Sequence, residues 1–156
     1  MHLAIGQAHI SASPLQMARF FGWLAVGKLW EPSLVASLGD HRVVPEFVEP
    51  PFDDLSRQRL GIALKEVVQH PAGTAFDEEH DLSEWDVAGK TGTAQVGIQS
   101  NGRPIPKHAW FAGYFPAESP RYAVAVLCEN SDLHGGEIAS IILHEFLSRE
   151  AEALLK

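Results

Sequence analysis

Three strand-like segments follow one another closely in the second half of the chain. They span residues 87–98, 108–115 and 121–129, and the last alternates two sets of apolar side chains. The two connections are short and contain turn residues, whereas a parallel crossover needs a dozen or more residues and usually a helix. The segments therefore predict a three-stranded antiparallel meander.

A helix is predicted near the start of the chain, over residues 13–28. Ser13 and Gln16 have the spacing of a capping box, and Pro14 occupies the first helical position. Gly27 is a natural stop signal. Apolar residues fall all round this helix, which predicts that it is buried on most sides.

A second helix is predicted from Asp53 or Asp54, either of which can cap it, to about His70. Its apolar stripe consists of Leu55, Leu60, Leu64, Val67 and Val68. The proline-rich segment 29–52 predicts a connector with one short extended piece at His41–Val44.

A closing helix is predicted after Gly135-Gly136, over residues 136–155. Its candidate sheet-facing residues are Ile138, Ile141, Ile142, Phe146 and Leu147. A helix on one face of an antiparallel sheet gives an α+β fold, here with a separate N-terminal helical layer. The chain thus divides into a helical part (1–80), a strand-rich part (84–130) and the closing helix.

The net charge, the cysteine content and the distribution of apolar residues limit the kinds of site and function that this chain can have. The net charge is −8, which argues against a general nucleic-acid binder. Cys128 is the single cysteine, so an internal disulfide and a cysteine-rich metal site are excluded; its place in a strand predicts a buried, inert thiol. No apolar run approaches the roughly 18 residues of a membrane span, and the N-terminus lacks signal-peptide features.

Two groups of residues are candidates for a metal site. His144-Glu145 begins like the H-E-x-x-H zinc motif, but Ser148 stands where the second histidine is needed. The acidic run 78–81 is more typical of a solvated loop. The sequence therefore predicts no metal and no cofactor.

The segment Val87–Gln95, with the sequence V-A-G-K-T-G-T-A-Q, carries the clearest chemical signal. Glycine within a strand often marks a place where a ligand or another backbone comes close. Lys90 offers a cation, and Thr91 and Thr93 offer hydroxyl groups. Such a surface suits an anionic, peptide-like ligand laid along a strand edge. A glycine-rich edge strand with a solvated lysine is the alternative.

The string A-G-K-T-G-T-A-Q resembles the third motif of monofunctional, class B penicillin-binding protein transpeptidase domains. Ala4–Ala8 followed by Ser13–Ala18 resembles the family's "GQG … TPLQMA" helix entry. His108–Pro116 resembles the family's "HAWFxGxxP" strand. With the Gly135-Gly136 helix, the resemblance spans about residues 4 to 147.

Two other motifs of the family are not in this chain. No serine is followed by lysine at the third position or by asparagine at the second, so S-x-x-K and S-x-N are missing. The family places both before the "GQG" segment. The resemblance therefore implies that residues 1–156 form a single partial domain, the C-terminal part of a penicillin-binding/β-lactamase-like transpeptidase fold.

The resemblance also implies a function for the complete domain, which is peptidoglycan D,D-transpeptidation through an acyl-serine intermediate. Lys90 would then supply positive potential at the mouth of the site. Lys90, Thr91, Gly92 and Thr93 would bind the substrate, and the Thr93 backbone N–H would be one oxyanion donor. Because the nucleophile is missing, this chain alone is not expected to be active.

The expected partners are the peptidoglycan stem peptide, β-lactams and the missing N-terminal half of the domain. The strand edge at 121–129 is also expected to allow self-association. The parent protein is expected to work outside the cytoplasm. Two alternatives stay open: a noncatalytic remnant that acts as a binding or interaction module, and a fragment of a related β-lactamase or lactam sensor.

Overall fold

The computed structural model describes residues 11–95 and 107–155. The "GQG"-like string at 4–8, the predicted strand end at 96–98 and the turn after it lie outside the described residues. The elements in chain order are helix α1 (Pro14–Val26), strands β1 (Leu29–Trp30), β2 (Ser37–Leu38), β3 (His41–Arg42) and β4 (Phe47–Val48), helix α2 (Asp54–Gln69), a 3₁₀ turn (Ser83–Trp85), strands β5 (Ala88–Gln95), β6 (Lys107–Phe115) and β7 (Tyr122–Ser131), helix α3 (Gly135–Ile138), a π-helical turn (Ala139–Leu143) and helix α4 (His144–Leu155).

The three long strands form one antiparallel sheet in the order β5-β6-β7. The predicted meander is therefore confirmed. The register pairs Lys90 with Ala112 and Thr91 with Phe111. Successive residues of a strand point to opposite faces, so this register places Lys90 and Thr91 on opposite sides of the sheet.

The sheet is covered on both faces, and the fold is α+β as predicted. On one face, Phe111 and Phe115 pack with Leu143 and Leu147 of the closing helical segment, and all four are at most 2% exposed. The other face is covered by α1 and α2. Its cluster consists of Phe21, Leu24, Leu64, Ala88, Ala112 and Tyr114.

Local capping signals set the helix starts. The Ser13 hydroxyl accepts from the Gln16 N–H, and the Gln16 side chain accepts from the Ser13 N–H. Gly27 ends α1 in the left-handed region at φ 77°. Asp53 caps α2 by accepting from the Ser56 N–H at 2.9 Å.

Burial of α1 and α2 differs from the sequence expectation. In α1 only Phe21 and Leu24 are buried, while Leu15 and Phe20 are exposed. The expectation of burial on most sides was wrong because the sheet and α2 cover only part of this helix. In α2, Leu64 is buried but Leu55 and Leu60 of the predicted stripe are exposed.

The closing helix buries two of the five predicted sheet-facing residues, Ile138 and Leu147, and leaves the other three exposed. These three are Ile141, Ile142 and Phe146. The π-helical turn widens the spacing of the helix, so Ile138 and Leu143, five residues apart, are the buried pair. The expectation that the three exposed residues contact the sheet was therefore wrong.

The connector contains more pairing than predicted. β2 and β3 form a short hairpin, and β1 pairs with β4. Cys128 is half-buried rather than buried, because β7 lies at the edge of the sheet. Within residues 11–95 and 107–155, no helix has the length and apolar character that a membrane span requires.

An ionic cluster fixes the start of β5. The Lys65 ammonium lies 2.8 Å from the carboxylates of both Asp86 and Glu118. Asp86 also accepts from the Glu118 N–H at 2.8 Å and from the Gln69 amide at 3.2 Å. Partial burial alone would raise the pKa of the Asp86 carboxyl, but these donors together hold that pKa below its ordinary value.

We expect the Asp86→Asn variant to lower the free energy of unfolding by about 2 kcal/mol at pH 7, because it removes the charged acceptor of several donors. Asparagine tolerates the left-handed backbone of this position (φ 50°). Since the folded-state pKa is depressed, the contribution of Asp86 is present above the unfolded-state value of 3.8 and is lost as the pH falls through the folded-state pKa.

Urea unfolding of both proteins at pH 7 and pH 3 measures this difference. The exposed Asp40→Asn variant is the matched control and is expected to unfold like the unmodified chain. A difference at position 86 that is as large at pH 3 as at pH 7 would contradict the electrostatic explanation.

Candidate functional site

The Lys-Thr-Gly sequence lies on β5, an outer strand of the sheet. Within the part of the chain that the structure describes, β5 pairs with β6 only. α2 and the loop after it pack beside the strand. Among the described residues, the motif therefore lies at a sheet edge.

The Lys90 side chain is exposed and reaches round the edge of its own strand. Its ammonium donates to the Thr91 carbonyl at 2.9 Å and to the Thr91 hydroxyl at 3.1 Å. No carboxylate among residues 11–95 and 107–155 forms an ion pair with Lys90. Among the described residues, no ion pair therefore neutralises its positive charge.

Thr91 and Thr93 lie on the face of the sheet opposite Lys90. Thr91 pairs with Phe111 and Thr93 with Ala109, and both threonines are half-buried. The Thr91 hydroxyl lies 2.8 Å from the hydroxyl of Thr74. The structure thus brings the predicted Lys90 and Thr91 into contact and adds Thr74 to them.

Sequence reasoning missed Thr74. It lies in the loop after α2, where Pro71-Ala72-Gly73 in the sequence predicts only a helix end. Its contact with Thr91 is between residues 17 positions apart. One signal was available: the chain has only three threonines, and all three lie in or beside this site.

The start of the closing helix packs directly on the motif strand. A Cβ atom at Gly135 would collide with the carbonyl oxygens of Trp110 and Gly92. A Cβ atom at Gly136 would collide with the Thr74 carbonyl oxygen. These two glycines therefore allow helix, loop and strand backbones to meet at van der Waals distance.

The described residues form grooves near the sheet, and two of them lie beside the helices. One, of about 360 Å³, lies between the end of α2 and β5, and Glu66, His70, Thr74 and Lys90 are its polar or charged lining residues. The other, of about 420 Å³, lies between α1 and the start of β7 and has a mainly apolar lining. Of these two, the groove beside the end of α2 contains Lys90 of the motif.

The acidic loop is organised by hydrogen bonds. Asp77 accepts from the Glu79 and His80 N–H groups, and its other carboxylate oxygen lies 3.1 Å from His80 Nδ1. Burial alone would raise the pKa of the Asp77 carboxyl, but these bonds, with one from Ser140, hold it below its ordinary value. Among the residues with described positions, no group of three potential ligands could hold a metal ion.

Comparison with known proteins gives one family throughout. The penicillin binding protein transpeptidase domain family matches residues 1–148. The chain is 30% identical over 158 residues to peptidoglycan D,D-transpeptidase PbpA of Mycolicibacterium smegmatis, covering 89% of this chain and 29% of PbpA.

Solved structures agree with this result. The penicillin-binding protein PBP2 of Helicobacter pylori is similar with a TM-score of 0.77 and 30% identity, covering 97% of this chain and 26% of that protein. PBP2 in a complex with MreC from Helicobacter pylori matches at a TM-score of 0.74 and 29% identity, with 97% and 27% covered. The chain thus spans less than a third of the length of these relatives.

We expect the Gly135→Ala variant to lower the free energy of unfolding by about 1–3 kcal/mol, because the added methyl group meets backbone atoms that have no free space to move into. The melting temperature measures the effect. Gly22→Ala in α1 is the matched control: its new Cβ would meet only Ala123 Cβ, at an ordinary 3.5 Å. The packing explanation is wrong if the two variants melt at the same temperature.

Proposed function

The chain belongs to the penicillin-binding protein transpeptidase family, and we propose that it supplies the Lys-Thr-Gly half of a peptidoglycan D,D-transpeptidase active site. The observation that carries the proposal is the exposed Lys90 ammonium, which has no ion pair among the described residues and lies beside the Thr91 hydroxyl on an outer strand. A stem peptide ends in a carboxylate, and a cation with adjacent hydroxyl donors at a strand edge suits that group.

In the proposed reaction, a serine from a segment outside this chain attacks the carbonyl carbon of the peptide bond between the two terminal D-alanines. The terminal D-alanine leaves with its amine protonated, and an ester joins the serine to the shortened peptide. The amine of a neighbouring stem peptide then attacks the ester carbonyl and regenerates the serine hydroxyl. β-Lactams react in the first step as substrate mimics and remain as esters.

The residues of this chain have three roles in that scheme. Lys90 provides positive electrostatic potential at the mouth of the site, where the anionic peptide binds. Thr91 and Thr93 donate hydrogen bonds to the terminal carboxylate, and Gly92 lets the peptide approach the strand closely. The Thr93 backbone N–H is one of two oxyanion donors, the other being the N–H of the serine itself.

A strand from the N-terminal half of the domain is the partner we propose for β7. The outer side of β7 has no strand partner within the described residues, and the mainly apolar groove beside α1 lies next to the start of β7. Because stem peptides are cross-linked in the cell wall, the proposed function places the parent protein on the extracytoplasmic side of the membrane.

A noncatalytic binding module is the second candidate, and a specific observation favours it. No S-x-x-K and no S-x-N occurs in the 156 residues. A module of this kind would keep the Lys90 groove for reversible binding of a carboxylate and would need no serine. A β-lactamase or lactam-sensor origin is less well supported, since the matching relatives include PbpA and PBP2.

The isolated chain is expected to self-associate, to cover the outer edge of β7 with one of its own segments, or to aggregate, because an unpaired strand edge is a template for pairing. Sedimentation at several concentrations and amide exchange along Tyr122–Ser131 together measure this. The central strand β6 is the internal control, since it is paired on both sides. A stable monomer whose β7 amides exchange fast would contradict all three outcomes.

Benzylpenicillin is expected to leave the mass of this chain unchanged, because loss of a nucleophile typically lowers turnover on the order of 10⁶-fold. The chain joined to the S-x-x-K and S-x-N segment of its own gene is expected to gain one penicilloyl group per molecule. In that joined protein, Lys90→Ala should lower the acylation rate by about 100-fold or more, as removal of one electrostatic donor does elsewhere.

Intact-mass analysis over time measures all three rates. Lys28→Ala is the matched control, since Lys28 lies over the Phe47 ring, away from the motif strand. A stoichiometric adduct on the 156-residue chain alone would overturn the assignment of roles. An inert joined protein, or a gene without the two motifs, would favour the noncatalytic module.

A further inference from the structure

We propose that Thr74 is a positioning residue for the Lys-Thr-Gly motif, which fixes the Thr91 hydroxyl as a hydrogen-bond donor toward the ligand. Three polar groups form a continuous chain. Thr74 Oγ1 lies 2.8 Å from Thr91 Oγ1, and Thr91 Oγ1 lies 3.1 Å from Lys90 Nζ. Thr74 also shares with Lys90 the groove beside α2.

Chemistry fixes the direction of the Lys90–Thr91 bond, whereas in the Thr74–Thr91 pair either hydroxyl can donate; we propose that Thr74 is the donor. An ammonium has donors only, so Thr91 must accept from Lys90. A hydroxyl has two acceptor lone pairs and one proton. When Thr74 donates its proton to Thr91 as well, both lone pairs of Thr91 are occupied, and its own proton is left for a third partner. That partner must be an acceptor, and the carboxylate of an anionic ligand is one.

The backbone that carries Thr74 is held on two sides. The Ala75 N–H donates to the Val67 carbonyl at 3.0 Å, and Ala75 is 2% exposed. On the other side, Gly136 packs against the Thr74 carbonyl so closely that no Cβ would fit. The end of α2 and the start of the closing helix thus fix the loop, while the Thr74 residue itself remains exposed.

The contacts of Thr74 with Thr91 and Lys90 belong to the present chain and do not depend on the proposed function. The effect of Thr74 on catalysis rests on the proposed function. If Thr91 donates to the carboxylate of the donor peptide, then loss of the Thr74 hydroxyl should slow acylation about 3- to 10-fold, which corresponds to one ordinary hydrogen bond. Lys90 and the Thr93 N–H stay in place, so a larger loss is not expected.

The first experiment tests the geometry in the 156-residue chain. With methyl-labelled threonine the spectrum contains three threonine signals, from Thr74, Thr91 and Thr93. Thr74→Val, which keeps the shape and removes the hydroxyl, is expected to shift the Thr91 methyl signal and the Lys90 ε-methylene signal. Thr74→Ser, which keeps the hydroxyl, is expected to leave the Lys90 signal in place. Ser119→Ala, in an exposed turn, is the control for a remote hydroxyl.

The second experiment measures benzylpenicillin acylation in the joined protein with a double-mutant cycle. Thr74→Val should slow acylation 3- to 10-fold when Thr91 is present and should have no effect in a Thr91→Val background. Thr74→Ser should restore the rate. A residue that only supports the loop would slow both backgrounds equally, and that result would overturn the positioning role.

The two experiments separate the two proposals. If Thr74→Val leaves the Thr91 and Lys90 signals unchanged, the positioning role is wrong, whatever the enzyme does. If the signals shift but the unmodified joined protein is not acylated, the positioning role stands and the proposed function fails. If the joined protein is acylated and Thr74→Val has no effect on the rate, Thr74 has no part in the reaction and the inference is overturned.

Discussion

The ring of Phe111 lies across Gly89 of the neighbouring strand, and this contact sets how β5 and β6 meet. A Cβ atom at Gly89 would collide with the Phe111 ring and lie 2.8 Å from the Ala112 carbonyl oxygen. Gly89 is paired with Gly113, where a Cβ would collide with the Ala88 carbonyl oxygen. β5 and β6 can therefore approach each other at the Gly89–Gly113 pair only because neither residue has a side chain.

The parts of the fold that could be predicted from the sequence depend on local signals. Helix ends are set by signals that act within a few residues, namely the capping box at Ser13, the N-cap Asp53 and the C-cap Gly27. Short connections likewise force neighbouring strands to be antiparallel. Burial was harder to predict, because it depends on which helix face meets the sheet. The π-helical turn at Ala139–Leu143 changes the face that meets the sheet. Its residue types do not indicate that the backbone hydrogen bonds there span five residues.

The residues of the candidate site also differ in how far the sequence can predict them. Lys90 and Thr91 are adjacent in sequence, so a motif can identify them together. Thr74 contributes through the tertiary fold, by way of a loop between α2 and the start of the closing helix. Its hydroxyl reaches Thr91 only if that loop is packed against β5. No periodicity or spacing in the sequence indicates packing of this kind.

The ionic cluster of Lys65, Asp86 and Glu118 joins α2, the turn before β5 and the turn after β6 at the start of the motif strand. Pairing with β6 then continues along all of β5, and Gly135 packs on Gly92 in its second half. The motif backbone is therefore held along its whole length. A ligand that binds there meets a strand that is already ordered, so binding does not have to offset the conformational entropy of ordering it.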